Sequence, residues 1–174
     1  SREVKAMQIA ERRLVRAIEA GARYVDVELE APKQMSKRVR NAAHESGTIF
    51  IRSYHDFDGT DSLEALKAIV EKCIYHGADM VKIVTTARSQ EDVQRVMSLY
   101  EWFRREVKDL PEGSLIAFCM GEEGSKSRLD CLKYGAPYTY AALSEEETQV
   151  QTLKEKQKLI MDICEKIMKD YLIS

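Results

Sequence analysis

Lys82 stands inside Ala78-Asp79-Met80-Val81-Lys82-Ile83-Val84, a short apolar run that otherwise reads as a buried strand. Lysine is almost never fully buried without a partner, and burial disfavours its charged form. A desolvated amine attacks carbonyl carbons well, and imine formation is its usual use. A strand-end lysine that snorkels out to water fits the same run. His55 follows a second strand-like run, Thr48 to Tyr54, at its C-terminal end. Histidine is the side chain best suited to proton transfer near neutral pH, although a solvated loop histidine fits that position as well. A strand-end histidine and an in-strand lysine on successive parallel strands lie close together, which places a base beside an imine-forming amine. A third group is Met120-Gly121-Glu122-Glu123-Gly124-Ser125-Lys126-Ser127-Arg128. Its two glycines permit a tight loop with free backbone N–H groups. Arg128 can clamp a carboxylate through two parallel hydrogen bonds. Standing alone, this segment also reads as a solvated charged loop.

The elements that would carry these groups alternate along the chain. Residues 2–20 have Val4, Met7, Leu14, Val15 and Ile18 at helical spacing, stopped by Gly21. Tyr24 to Glu30 alternates strictly, with Asp26, Glu28 and Glu30 on one face and Val25, Val27 and Leu29 on the other. An open sheet edge would give those carboxylates to water. A closed barrel would aim them inward, where they need cationic partners. Residues 35–46 read as a helix, and Thr48–Tyr54 as a strand with Ile49, Ile51, Ser53 and then His55 on one face. An amphipathic helix over 62–76 is expected to be capped by Asp61 and stopped by Gly77. The Lys82 strand follows, then a helix from Ser89 to about Lys108, a strand over Ser114–Met120, a short helix over 126–134, a strand over Pro137–Leu143 and a last helix over 152–172.

Strands alternating with helices imply parallel pairing with right-handed crossovers. A doubly wound sheet and a (βα)8 barrel both fit. Both gather their chemistry at the carboxyl ends of the strands. No G-x-G-x-x-G follows the first strand and no G-x-x-x-x-G-K-[ST] occurs, so a dinucleotide or P-loop site is not expected.

Composition narrows the rest. The 174 residues are 44% hydrophobic and 32% charged, with a net charge of −2. That is enough chain for one domain with a real core. Nothing in the overall charge points to nucleic acid or an anionic membrane. The apolar runs are too short to span a bilayer. Ser1-Arg2-Glu3-Val4-Lys5 leads straight into a charged helical pattern with no signal-peptide features. Cys73, Cys119, Cys131 and Cys164 form no C-x-x-C pair, and His44, His55 and His76 lack ligand spacing. Reduced thiols in a cytoplasmic protein are expected, with no metal.

Taken in order, the motifs resemble type I 3-dehydroquinate dehydratases, the type I 3-dehydroquinases of the shikimate pathway. The matching segments are Tyr24-Val25-Asp26-Val27-Glu28-Leu29, Ser53-Tyr54-His55-Asp56-Phe57 and Gly77 through Ile83. Met120-Gly121 through Ser127-Arg128, Gly135 and Tyr138-Thr139-Tyr140-Ala141 complete the set, which runs over essentially the whole chain. The interval from His55 to Lys82 is the one the family expects. The resemblance implies a (βα)8 TIM-type barrel and a lyase that dehydrates 3-dehydroquinate to 3-dehydroshikimate, on the way to chorismate and the aromatic amino acids. It implies a Schiff base on Lys82, His55 as general base, and Arg128 as the clamp for the substrate carboxylate. It implies Glu28 as support within the barrel, no cofactor, and a cytoplasmic homodimer.

Two departures from the family pattern stand out. The family barrel has about three more strands before the point where this chain begins. Those strands carry a Glu-x-Arg motif and a further Arg and Glu without counterparts here. The expected fold is therefore a single domain over 1–174 with the first βα units missing from the chain as given, and five parallel strands cannot close an eight-stranded barrel. The family's Ser/Thr-Ala-Pro-Gly-Gln loop is the second departure: Ser144-Glu145-Glu146-Glu147-Thr148 runs directly into Gln149. Thr148 and Gln149 are the expected substrate contacts of that loop. A lysine-imine aldolase of small sugar acids shares the strand lysine and the βα order, but leaves the His55 motif and the Gly121–Arg128 segment unexplained. A non-catalytic, regulatory dehydroquinase-like domain is the remaining reading.

Overall fold

The computed structural model describes residues 2–140. Helix α1 (Arg2–Glu19) precedes β1 (Tyr24–Glu28), α2 (Lys33–Ser46), β2 (Ile49–Asp56), α3 (Leu63–Tyr75), β3 (Met80–Thr86), α4 (Gln90–Glu106) and β4 (Leu115–Met120). Two short helices follow, α5 (Gly121–Gly124) and α6 (Ser127–Tyr134). The four strands form one sheet in the order β1-β2-β3-β4, all parallel. Consecutive strands are therefore spatial neighbours, each reached by a crossover helix. That is the winding of a barrel, in contrast to a doubly wound sheet, where strand order reverses.

The apolar residues explain why the strands sit where they do. Residues 80–85 of β3 and 115–119 of β4 are buried on both faces, as expected of parallel strands covered on both sides. Val81, Ile83, Leu115 and Ala117 pack with Leu66, Val70, Cys73, Val96, Leu99 and Phe103 of α3 and α4. A second cluster joins Ile18, Val25, Val27, Met35, Val39, Ala43 and Phe50 under α1 and α2. Burial of each Leu or Ile side chain is worth about 1.5–3 kcal/mol. No described helix is long and apolar enough to cross a membrane.

Several boundaries differ from the sequence reading. β2 extends past Tyr54 because pairing with β3 continues through His55↔Val84 and Asp56↔Thr85. The chain turns only afterwards, where Asp56 Oδ1 accepts from the Asp58 and Gly59 N–H groups at 2.8 and 3.0 Å. Ser62, not Asp61, caps α3, its Oγ accepting from Ala65 N at 3.2 Å. Ser89 caps α4 as expected.

The expected Gly121–Ser125 loop is instead the helical turn α5. A Cβ added at Gly124 would lie 2.5 Å from the Cys119 Cβ, so only glycine fits there. Ser127, 2% exposed, accepts from Cys119 N at 2.7 Å and donates to Gly124 O at 2.5 Å. These contacts close the turn onto the end of β4 and satisfy its backbone groups internally. Residues 137–140, expected to begin a fifth strand, carry no strand pairing. Thr139 Oγ1 instead donates to Arg128 O at 2.5 Å, holding this segment against α6. The rest of that strand, the loop with Thr148 and Gln149, Cys164 and the last helix lie outside the described residues.

Candidate active site

Strand register defines the site. Asp26, Ile51 and Met80 share one level across the sheet, and Glu28, Ser53, Lys82 and Ile116 the next. His55, Val84 and Phe118 share the level nearest the carboxyl ends of the strands. Because side chains alternate, these three levels project from one face. Phe50, Arg52, Val81, Ile83 and Ala117 project from the other, toward the helices.

Lys82 is 8% exposed. Its Nζ donates to Asp26 Oδ2 at 2.9 Å and lies 4.4 Å from the centre of the Tyr140 ring. Asp26 Oδ1 is buried and has no hydrogen-bond partner among the described residues. The snorkelling alternative is thereby excluded: this lysine runs along the inner face to an acidic partner two strands away.

His55 and Glu28 form the second part. His55 Nδ1 donates to Glu28 Oε1 at 2.6 Å, and Ser53 Oγ donates to Oε2 at 2.5 Å. Burial works to raise the Glu28 pKa. The bonds from His55 and Ser53, with the nearby His55 and Lys82 charges, outweigh it and hold the carboxyl below its usual range. Bonding of Nδ1 to a carboxylate assigns the proton to that nitrogen and leaves Nε2 as the basic one. The His55 ring also stacks on Phe57, with centroids 6.0 Å apart.

Arg128 lies in the first turn of α6, beyond the carboxyl end of β4. Its guanidinium lies 5.0 Å from the Phe118 ring centre, and Nη1 donates to Tyr140 O at 3.4 Å. Burial lowers its pKa. Among the described residues it has no carboxylate partner, so its remaining donors can meet an anion. Tyr140 thus touches both cations, Lys82 with its ring and Arg128 with its carbonyl. Burial, then Tyr138 and Asp26, push the Tyr140 phenol up, and it stays neutral. Cys73, Cys119 and Cys131 are free and buried away from this face, with the Cys73 thiol pushed up by burial to about 12.

The structure therefore brings Lys82, His55 and Glu28 onto one face, with Arg128 at its edge. Sequence alone puts Asp26 and Glu28 on one face, where a barrel requires cationic partners for them, without identifying those partners. Ser53, Tyr140 and Ser127 stand in the motifs without an assigned part. Arg52 went unread: it is 3% exposed and donates from Nη1 to Ser36 Oγ at 2.8 Å and from Nη2 to Leu29 O at 2.9 Å. It so tethers the turn that follows Glu28. Its one signal was an arginine between apolar residues at a helix-facing strand position.

Successive parallel βα units, with polar groups gathered toward the carboxyl ends of the strands, define the parallel α/β-barrel class. Comparison with known proteins specifies it further. The type I 3-dehydroquinase family model matches residues 3–160, and the chain belongs to that family. It is 41% identical over 127 residues to the 3-dehydroquinate dehydratase of Desulfotalea psychrophila, covering 73% of this chain and 54% of that protein. It is 36% identical over 146 residues to that of Pyrococcus abyssi, covering 84% and 62%. Among solved structures, the 3-dehydroquinate dehydratase of Geobacillus kaustophilus superposes with a TM-score of 0.67 at 29% identity, over 88% of this chain and 60% of that one. The type I enzyme of Clostridium difficile, solved with covalent modified comenic acid, shares the fold with a TM-score of 0.73 at 23% identity, over 90% and 61%. The chain spans about half the length of the curated relatives it matches first.

Proposed function

We propose that this chain carries the imine-forming centre of a 3-dehydroquinate dehydratase, a lyase that converts 3-dehydroquinate to 3-dehydroshikimate. The observation that carries this reading is the shared inner face. A buried lysine and a Glu28-held histidine one level further along it stand beside an arginine with donors to spare. Family membership supports it.

In this reading the Lys82 amine, once neutral, attacks the ketone carbon of the substrate. The oxygen leaves as water and an iminium remains. The iminium withdraws electrons from the adjacent C–H bond more strongly than the ketone does, so His55 Nε2 removes that proton at lower cost. The electron pair forms the new C=C bond as the β-hydroxyl departs with a proton, as a second water. Water then hydrolyses the imine and restores the Lys82 amine. Arg128 pairs with the substrate carboxylate through its planar fork. Glu28 keeps the His55 ring oriented and balances the positive charge it gains. Thr148 and Gln149 would meet the substrate from the loop beyond the described residues. The same reading includes a single barrel domain over 1–174, a cytoplasmic homodimer and no cofactor.

The test is reductive trapping. The protein is incubated with 3-dehydroquinate and sodium borohydride, and the adduct is mapped by mass spectrometry. An adduct on Lys82 is expected, and Lys82→Met abolishes it. A folded protein with no adduct on Lys82 refutes the imine reading.

A further inference from the structure

The ion pair holds Lys82 in a particular direction. The Lys82 backbone is level with Glu28 and Ser53, yet its Nζ meets Asp26, whose level is two residues back toward the amino ends of the strands. At about 3.3 Å per residue, the Asp26 backbone stands about 6–7 Å behind that of Lys82 along the strand axis. His55 lies two residues in the opposite direction. The carboxylate that holds the amine is therefore rooted on the amino side of the Lys82 level, and the base on the carboxyl side. An ammonium whose proton is engaged by a carboxylate also offers no lone pair to a carbonyl carbon.

We propose that Asp26 is a positioning residue that parks the Lys82 amine at rest, turned back from the carboxyl ends of the strands, so that attack requires release from this carboxylate. The proposal rests on Lys82 being the imine-forming residue, and it adds what governs when that lysine reacts. Lys82 is the only donor to Asp26 among the described residues, because Asp26 Oδ1 is buried without a partner. The pair is thus specific, not one contact in a diffuse cluster. The other titratable or charged groups facing this amine are Tyr24 and Glu28 on β1, His55 on β2, Tyr138 and Tyr140 in the segment after α6, and Arg128 on α6. From β4 the facing residues are Ile116 and Phe118, neither of which titrates. Glu28 is occupied by His55 and Ser53, and the Tyr140 ring covers the amine without taking its proton.

The experiment reads the amine directly. The chain and its isosteric Asp26→Asn variant are pulse-labelled with acetic anhydride across a pH series, and acetylation of each lysine is followed by mass spectrometry. An adjacent opposite charge favours the charged, non-nucleophilic form of an amine. Lys82 acetylation at neutral pH should therefore rise about tenfold in Asp26→Asn once the carboxylate that engages its amine is gone. Exposed Lys126, which pairs with Asp130, should keep its rate. Asp26→Glu, which retains the carboxylate, should restore the slow labelling, and Asp26→Ser serves where Asp26→Asn does not fold. An unchanged or slower Lys82 reaction in a folded variant overturns the proposal. Missing 3-dehydroquinate adducts with altered acetylation would instead refute the imine reading and leave the parking contact standing.

Discussion

Replacement of Glu28 by glutamine tests the proposed part of His55 as a base. The carboxylate is bonded to His55 Nδ1 at 2.6 Å and to Ser53 Oγ at 2.5 Å. A hydrogen bond to a charged group contributes about 1.5–3 kcal/mol. The Glu28 side chain is 40% exposed, so solvent screening reduces this to about 1–2 kcal/mol. If that interaction strengthens as His55 takes up the proton, its loss slows proton abstraction about 5- to 30-fold, at 1.36 kcal/mol per factor of ten. The glutamine amide can also donate to Nδ1, which would leave the proton on Nε2 and remove the base. The assay pairs the dehydration rate with borohydride trapping on Lys82, and the rate should fall by more than the trapping does. Stability gives a second readout with a defined sign. The folded Glu28 carboxyl lies below its usual range, so its contribution is present above the unfolded value of about 4.3 and is lost as pH falls through the lower folded value. Urea midpoints of Glu28→Gln and the unaltered chain should differ at pH 7 and converge near pH 3. Equal rates, or a gap that widens on acidification, would refute the reasoning.

Three further outcomes follow from the same geometry. Arg128→Lys keeps the charge but loses the planar fork that stacks on Phe118 and reaches Tyr140 O. Binding of 3-dehydroquinate should weaken by about tenfold, with a smaller change in Lys82 trapping once ligand saturates. Leu66→Ala opens a cavity beneath α3, where Leu66 is fully buried, and should cost about 2–5 kcal/mol in urea unfolding while leaving the site intact. Gly124→Ala places a Cβ 2.5 Å from the Cys119 Cβ. It should displace α5 and α6 and so weaken ligand binding through Arg128, measured by titration alongside thermal unfolding.

What the sequence revealed and what it concealed divide along a physical line. Periodicity reports which face a residue occupies, because alternation in a strand and repetition in a helix are local. Lys82 stood out because β3 is apolar on both faces, so that a single cation broke the pattern. The faces of β1 and β2 were read correctly for the same reason, with Asp26 and Glu28 on one side and Ser53 and His55 on another that proved to be the same side. Which carboxylate serves which cation is not local. It depends on register between strands and on the direction a long side chain takes, and neither leaves a mark in spacing. Lys82 could have met Glu28 at its own level, yet it meets Asp26 two residues behind. The vacancy that this leaves at Glu28 is filled by His55 and Ser53.

The boundary errors have a related cause. Asp61 and Ser62 are both competent caps, and the one that caps α3 is decided by where the chain leaves β2. Gly121-Glu122-Glu123-Gly124 reads as a loop by composition. The buried hydroxyl of Ser127 and the absence of a Cβ at Gly124 fold it tightly onto β4. That compactness has a consequence for the chemistry. A loose loop would let Arg128 search for its anion, at an entropic cost on binding. A stapled turn presents the guanidinium already placed against Phe118 and Tyr140, so less of the binding energy goes into ordering it. On the proposed reading of Arg128 as the carboxylate clamp, specificity at that edge depends as much on Ser127 and Gly124 as on the arginine they hold in place.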